Sequence, residues 1–150
     1  MAFGFNVILT YRNLKKRIKK NEGYSKKPYT DQLGFLTIGY GHLIKPNEKH
    51  FLKNKFNNKD FKRIFLHDFN KSVNDYNKNL RFYSSQIKDK ELLIEMIFQI
   101  GVSGVLKFKK LLKNISKDNK NLVCFEMMDS VWYKQTPKRV KKLIRNYLRT

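Results

Sequence analysis

One cysteine, one alanine, three prolines and twelve acidic residues are the scarcest features of this 150-residue chain. The lone Cys124 cannot close an internal disulfide. The three histidines are scattered, which excludes zinc-type spacings, so neither a metal nor a cofactor is expected. No apolar run approaches the ~20 residues of a membrane-spanning helix. The stretch from Ala2 to Leu9 is mildly apolar but short and broken by Gly4 and Asn6. No positive residue precedes it and no small-residue cleavage site follows, so the expectation is synthesis in a cytoplasm without a signal peptide.

Positive charge is what the chain has in excess. Lys and Arg number 33 against 12 Asp and Glu, a net +21, and 26 of the 33 are Lys. Two readings stand side by side. One is attraction to a polyanion such as nucleic acid, anionic lipid or a bacterial envelope. The other is codon composition, because Lys, Asn, Ile, Phe and Tyr are all encoded by AT-rich codons. The basic residues are spread 10, 10 and 13 over successive fifties, which does not mark a dedicated tail. A hydrophobic content of 41% and an aromatic content of 14% argue for a folded core despite the charge. This length buries roughly two-thirds of the unfolded surface without a covalent staple.

Periodicity divides the chain. Val7, Tyr11, Leu14 and Ile18 share one helical face, and Gly23 ends that helix just after Glu22. Tyr29-Thr-Asp31 and Leu36-Thr-Ile-Gly-Tyr40 are β-like runs joined through Gln32-Leu33-Gly34. From Asn58, a candidate cap, Phe61, Phe65, Phe69, Val73, Tyr76 and Leu80 form a long helical stripe. Residues 90–100 are apolar on nearly every side, as in a central buried helix. Gly101 and Gly104 suggest a short turn before a helix over 108–115, and another helix is expected over 121–128. Pro137 suits the first position of a last helix, with Val140, Leu143, Ile144, Tyr147 and Leu148 as its apolar face.

Three blocks carry a resemblance. Asn21-Glu-Gly-Tyr24, Tyr29-Thr-Asp31 and Leu36-Thr-Ile-Gly-Tyr-Gly-His-Leu43 resemble the signature of the phage-type lysozymes, glycoside hydrolase family 24. Eight residues separate Glu22 from Asp31 and five separate Asp31 from Thr37, the family's Glu–Asp–Thr register. Met96-Ile-Phe-Gln-Ile-Gly101 resembles the family's central helix, and Val131-Trp-Tyr-Lys-Gln-Thr-Pro-Lys-Arg139 its carboxy-terminal block. The blocks occur in family order and span most of the chain.

The resemblance implies an α+β, lysozyme-like fold. A small antiparallel sheet lobe would cover about residues 22–57. A long helix over 58–80 would join it to a larger helical lobe over 81–150, which the amino-terminal helix completes. All 150 residues would form one domain with the active-site cleft between the lobes. The implied activity is that of an endo-acting muramidase, cutting the β-1,4 bond between N-acetylmuramic acid and N-acetylglucosamine in peptidoglycan.

The chemistry accounts for the residue types. Glycoside hydrolysis needs one carboxylic acid to protonate the leaving oxygen and a second carboxylate on the opposite face of the sugar. An acid kept in an apolar setting stays protonated near pH 6, whereas a solvated one ionises. By family position Glu22 is the acid, Asp31 the second carboxylate and Thr37 a hydroxyl that holds the attacking water. Inversion, the outcome in the best-known member, implies carboxyl groups roughly 6.5–9.5 Å apart, and retention roughly 5–5.5 Å. Matching sugar-contact positions are Leu43, Phe98 and Gln99. Leu111 and Glu126 replace small or amide polar family residues, and Arg139 matches an Arg that approaches the acid. His42 and Asp68 match a structural ion pair. Trp132 and Cys124 read as buried core.

The partners implied are peptidoglycan as substrate and the anionic envelope as a second surface of attraction, with the protein a monomer. A phage or prophage endolysin would be made in the host cytoplasm and reach the wall through a separate pore. Nucleic-acid binding rests on charge and interleaved aromatics alone and is not expected. Pro137 to Arg149 also has the composition of an interfacial basic helix. A core-covering role accounts for the same apolar face.

Overall fold

A computed structural model describes residues 2–149, with side chains described from Tyr11 onward. The expected face position Val7 and the side chains of the apolar stretch Ala2 to Leu9 lie outside that description. The architecture is α+β, mostly helical, with one three-stranded antiparallel sheet. The chain divides into two compact units, one ending at Phe69 and the other starting at Asn70, so the division falls inside a helix.

The amino-terminal unit opens with α1 (Ala2–Glu22), whose described apolar face buries Leu14 and Ile18 completely. Three strands follow, β1 (Ser25–Thr30), β2 (Leu36–Gly39) and β3 (His42–Leu43), in the order β1-β2-β3. β1 is an edge strand. Its pairing with β2 slips between Ser25↔Gly39 and Tyr29↔Thr37, where Pro28 has no N–H to give the ladder. That edge irregularity hid residues 25–28 from a reading based on alternation. A four-residue helix, α2 (His50–Lys53), was also illegible, because one turn carries no period.

Helix α3 (Asn58–Asn79) begins where expected, but its cap is Asn57. Asn57 Oδ1 accepts from Asp60 N, and Asp60 Oδ2 accepts from Asn57 N, both at 2.9 Å, a reciprocal capping pair. Asn58 instead accepts the Tyr24 hydroxyl at 2.5 Å. Ile38, Phe51 and Phe61 form the sheet's core with Tyr40, Ile44, Phe56 and Ile64 around it. Burial of each large side chain contributes roughly 1.5–3 kcal/mol. Helix α1 falls in the same compact unit as the sheet. Tyr11 meets Phe69 edge-on at 5.8 Å, and Lys19 Nζ lies over the rings of Tyr40 and Phe65.

The carboxy-terminal unit is built on α4 (Ile87–Leu106), buried on nearly every side from Leu92 to Ile97. The turn expected at Gly101 is a kink instead. Gly101 takes φ 74° and ψ 161°, and the helix resumes to Leu106. After it come α5 (Lys109–Ser116), α6 (Lys120–Met128), α7 (Val131–Gln135) and α8 (Pro137–Leu148), with Pro137 opening α8 as its fixed φ favours. Trp132 is buried edge-on to Phe108, a core residue as its sequence context implied. Asp89 is also buried, at 1% exposure, and holds α4 to α8 by accepting the Tyr147 hydroxyl on one oxygen and the Ser84 hydroxyl on the other.

Candidate active site

Glu22 is the last residue of α1, and its carboxyl reaches the turn between β2 and β3. The side chain is half-buried and Oε1 is shielded from solvent. A methyl group placed on Gly41 would come within 2.7 Å of Oε2 and 3.2 Å of Cδ. Gly41 has φ +78°, so the turn needs glycine for its backbone and again for the carboxyl seated on it.

Asp31 closes the β1–β2 hairpin from the inside. Its Oδ1 accepts from Leu33 N at 2.9 Å and from Phe35 N at 2.8 Å. Its own N–H donates to Phe35 O, and its carbonyl accepts from Gly34 N. Oδ2 accepts no hydrogen bond among the described residues. One carboxylate oxygen is thus fixed by backbone while the other stays available.

Thr37 is 2% exposed and donates its hydroxyl hydrogen to Phe35 O at 3.1 Å, the carbonyl that Asp31 N also uses. Both lone pairs of Oγ1 remain to accept hydrogen from a water. Pairing sets Tyr29 and Leu43 on either side of Thr37, so these three side chains share one face of the sheet. Leu43 is 47% exposed and accessible to a ligand. The amino-terminal unit thus holds Glu22 against the β2–β3 turn, Asp31 in the β1–β2 turn, and Thr37 and Leu43 on paired strands between them.

Phe98 and Gln99 lie in the other unit, both half-buried on α4 just before its kink. Gln99 keeps a buried amide oxygen with no hydrogen-bond partner among the described residues. Leu111 is fully buried in α5, a packing residue with no surface to offer a sugar. Glu126 on α6 and Arg139 on α8 are half-buried in that same unit. No group of three metal-ligating side chains occurs among the described residues.

The opposite face of the sheet carries a second polar cluster. His42 Nδ1 lies 2.7 Å from Asp68 Oδ2, the ion pair anticipated from sequence, and Nε2 lies 3.1 Å from Glu48 Oε2. Burial pulls the His42 pKa down, but the bonds and charges of Asp68 and Glu48 outweigh it and hold it above 6.5. Burial pushes Glu48 up, and the Lys45 N–H together with His42 brings it below its ordinary value. Glu48 escaped the sequence reading, since a loop acid six residues from a histidine follows no period or known spacing.

A half-buried Glu and a turn-held Asp are the group types that two-carboxyl glycoside hydrolysis uses. Comparison with known proteins agrees with that class. Residues 19–148 match the model of the phage lysozyme family, and the chain belongs to it. Its activity class is accordingly that of a lysozyme-type muramidase, a glycosidase of peptidoglycan. Probable T4-type lysozymes 1 and 2 of Dictyostelium discoideum are 30% and 29% identical to it, over 88% of this chain and 91% of theirs. The pre-baseplate central spike protein Gp5 of Enterobacteria phage T4 is 26% identical over 87% of this chain and 27% of its own length.

Proposed function

We propose that the protein hydrolyses the β-1,4 bond between N-acetylmuramic acid and N-acetylglucosamine with inversion, as a monomeric endolysin of a phage or prophage. Glu22 protonates the leaving oxygen. Asp31 deprotonates or orients the attacking water through Oδ2, and Thr37 holds that water through its free lone pairs. Leu43, Phe98 and Gln99 contact the sugars. The protein is made in the host cytoplasm and meets the wall after release through a separate pore.

The observation that carries this reading is the division of labour at Asp31. Backbone N–H groups occupy one of its oxygens and leave the other for chemistry. A purely structural turn acid has no need of a half-buried Glu at the far end of the same sheet. The deciding experiment is mass spectrometry of muropeptides after digestion of purified wall, with Glu22→Gln as control. Reducing-end N-acetylmuramic acid is the expected product. Free peptides or N-acetylglucosamine reducing ends would assign a different bond. Proton NMR of the first-formed anomer, expected to be α from a β-linked substrate, tests inversion.

A further inference from the structure

Within the amino-terminal unit, helices α1 and α3 run antiparallel. Tyr11 and Lys15 of α1 meet Phe69 of α3, and Lys19, one turn further along α1, meets Phe65, one turn earlier in α3. Phe65 and Phe69 are buried, so the two lysines close over an apolar floor. Lys15 Nζ stands 5.9 Å from the centre of the Phe69 ring. Lys19 Nζ stands 4.9 Å from the centre of the Phe65 ring and 5.3 Å from that of Tyr40. Both lysine side chains are half-buried.

Lys62 completes the cluster. It precedes Phe65 by three residues, one turn back on the same side of α3. Burial, then the charges of Lys62 and Lys15, lower the Lys19 pKa from its ordinary value, so both of those charges reach Lys19. Nothing of opposite sign answers them. None of the three lysines pairs with an acid among the described residues. The acids of these helices are engaged elsewhere: Asp60 with Asn57, Asp68 with His42, and Glu22 against Gly41. An aromatic face attracts an ammonium group but does not neutralise it. Like charges gathered over a dry floor oppose folding, and the occupant that reverses this cost is an anion.

We propose that Lys15, Lys19 and Lys62 form a binding site for a phosphate group. A phosphate group carries up to two negative charges and offers oxygens on several sides, which suits ammonium groups drawn from two helices. A carboxylate offers one charge in one plane, and chloride one charge without direction. Lysine binds phosphate as a point charge, so no fixed fork geometry is required. The aromatic floor keeps water from beneath the ammonium groups, and attraction there is screened less than on an open surface. A free phosphate ion and a phosphoryl group carried on a larger molecule share this chemistry. The inference rests on α1 and α3 and not on the catalytic assignment.

The test is a titration of the full chain with inorganic phosphate and, separately, with glycerol 3-phosphate. Sodium chloride holds the ionic strength constant at about 0.15 M. A ligand of the native state raises the melting temperature, which reports affinity. Wild type is expected to bind phosphate. Tighter binding of glycerol 3-phosphate assigns a carried phosphoryl group as the ligand, and otherwise the free ion is assigned. Lys62→Gln removes one exposed charge and relieves repulsion, so without ligand it should melt no lower than wild type. It should bind phosphate about 10-fold more weakly, the worth of one charge-assisted hydrogen bond. Lys141→Gln removes an equal charge from α8 in the other unit and should bind like wild type. Carbon NMR of the lysine side chains should show the Lys19 pKa rising when phosphate saturates wild type, since a nearby anion favours the ammonium form. Equal weakening in the two variants would show that net charge alone draws phosphate and would overturn the proposal. So would a Lys19 pKa unmoved by saturating phosphate, or absence of phosphate binding by wild type.

Discussion

At position 41 an added methyl group has nowhere to go except into the carboxyl of Glu22. Because that carboxyl ends a flexible side chain, Gly41→Ala should displace the proposed acid rather than unfold the protein. The left-handed backbone adds a strain of roughly 1–2 kcal/mol, a fall of about 2–8 °C in melting temperature. Misplacing a catalytic group by about 1 Å costs on the order of 10²-fold in rate. Thermal melting and wall-clearing assays on one preparation check the pair of effects. A variant with lowered melting temperature and full activity would detach Glu22 from the chemistry.

Asp31 allows a sharper separation at the same scale. Asn at this position keeps the oxygen that accepts from Leu33 and Phe35 but removes the charge. Asp31→Asn should therefore melt like wild type and lose about 10²–10⁴-fold in activity, as Glu22→Gln should. Asp31→Ala loses the hairpin bonds as well, at a further cost of roughly 1–3 kcal/mol. If Asp31→Asn clears walls at the wild-type rate, the residue is only a turn anchor.

Among elements, the clearest lever is the cluster that ties β3 to α3 and to the loop after it. The His42 pKa is raised in the folded state, so its stabilisation is complete below 6.5 and fades as pH rises through the folded value. The Glu48 pKa is lowered, so its stabilisation is complete above 4.5 and fades as pH falls through the folded value. The two windows overlap between 4.5 and 6.5. The melting-temperature difference between wild type and His42→Gln should peak there and shrink on both sides. A difference that grows steadily toward alkaline pH would refute the pairing.

The elements also show what could be read without coordinates. Leu14 and Ile18 announced α1, and the unbroken apolar run over 92–97 announced a buried α4. Glu22, Asp31 and Thr37 stood out because they keep the register of the family that the sequence resembles. Residues whose meaning depends on distant partners were invisible. Nothing in the sequence around Asp89 signals the Tyr147 hydroxyl that reaches it from 58 positions away. Gly101 read as a stop because composition cannot distinguish a kink from an end. Asn57 and Asn58 both suit a cap by type; the reciprocal bonds with Asp60 give the role to Asn57, while Asn58 takes the Tyr24 hydroxyl.

For the whole molecule the dominant quantity is +21. If that charge draws the enzyme to an anionic envelope, wall lysis should fall steeply between low salt and ~0.3 M, since fields are screened over about 8 Å at physiological ionic strength. Cleavage of short, uncharged glycan fragments should change far less, having no extended polyanion to steer toward. Measuring both substrates at several pH values separates encounter from titration of the carboxyls. Lysis that is flat with salt at every pH would return the charge to codon composition.

Cys124 offers the molecule a built-in clock. It is the chain's one thiol, it is 6% exposed in α6, and burial raises its pKa. A disulfide reagent can therefore reach it only when that helix opens, and the ratio of native to unfolded labelling rates measures how often it does. His42→Gln loosens only contacts within the unit that ends at Phe69, whereas the thiol belongs to the unit that follows. If labelling accelerates in that variant as much as its global stability falls, the chain opens all at once. If the rate holds, the carboxy-terminal unit keeps its own time.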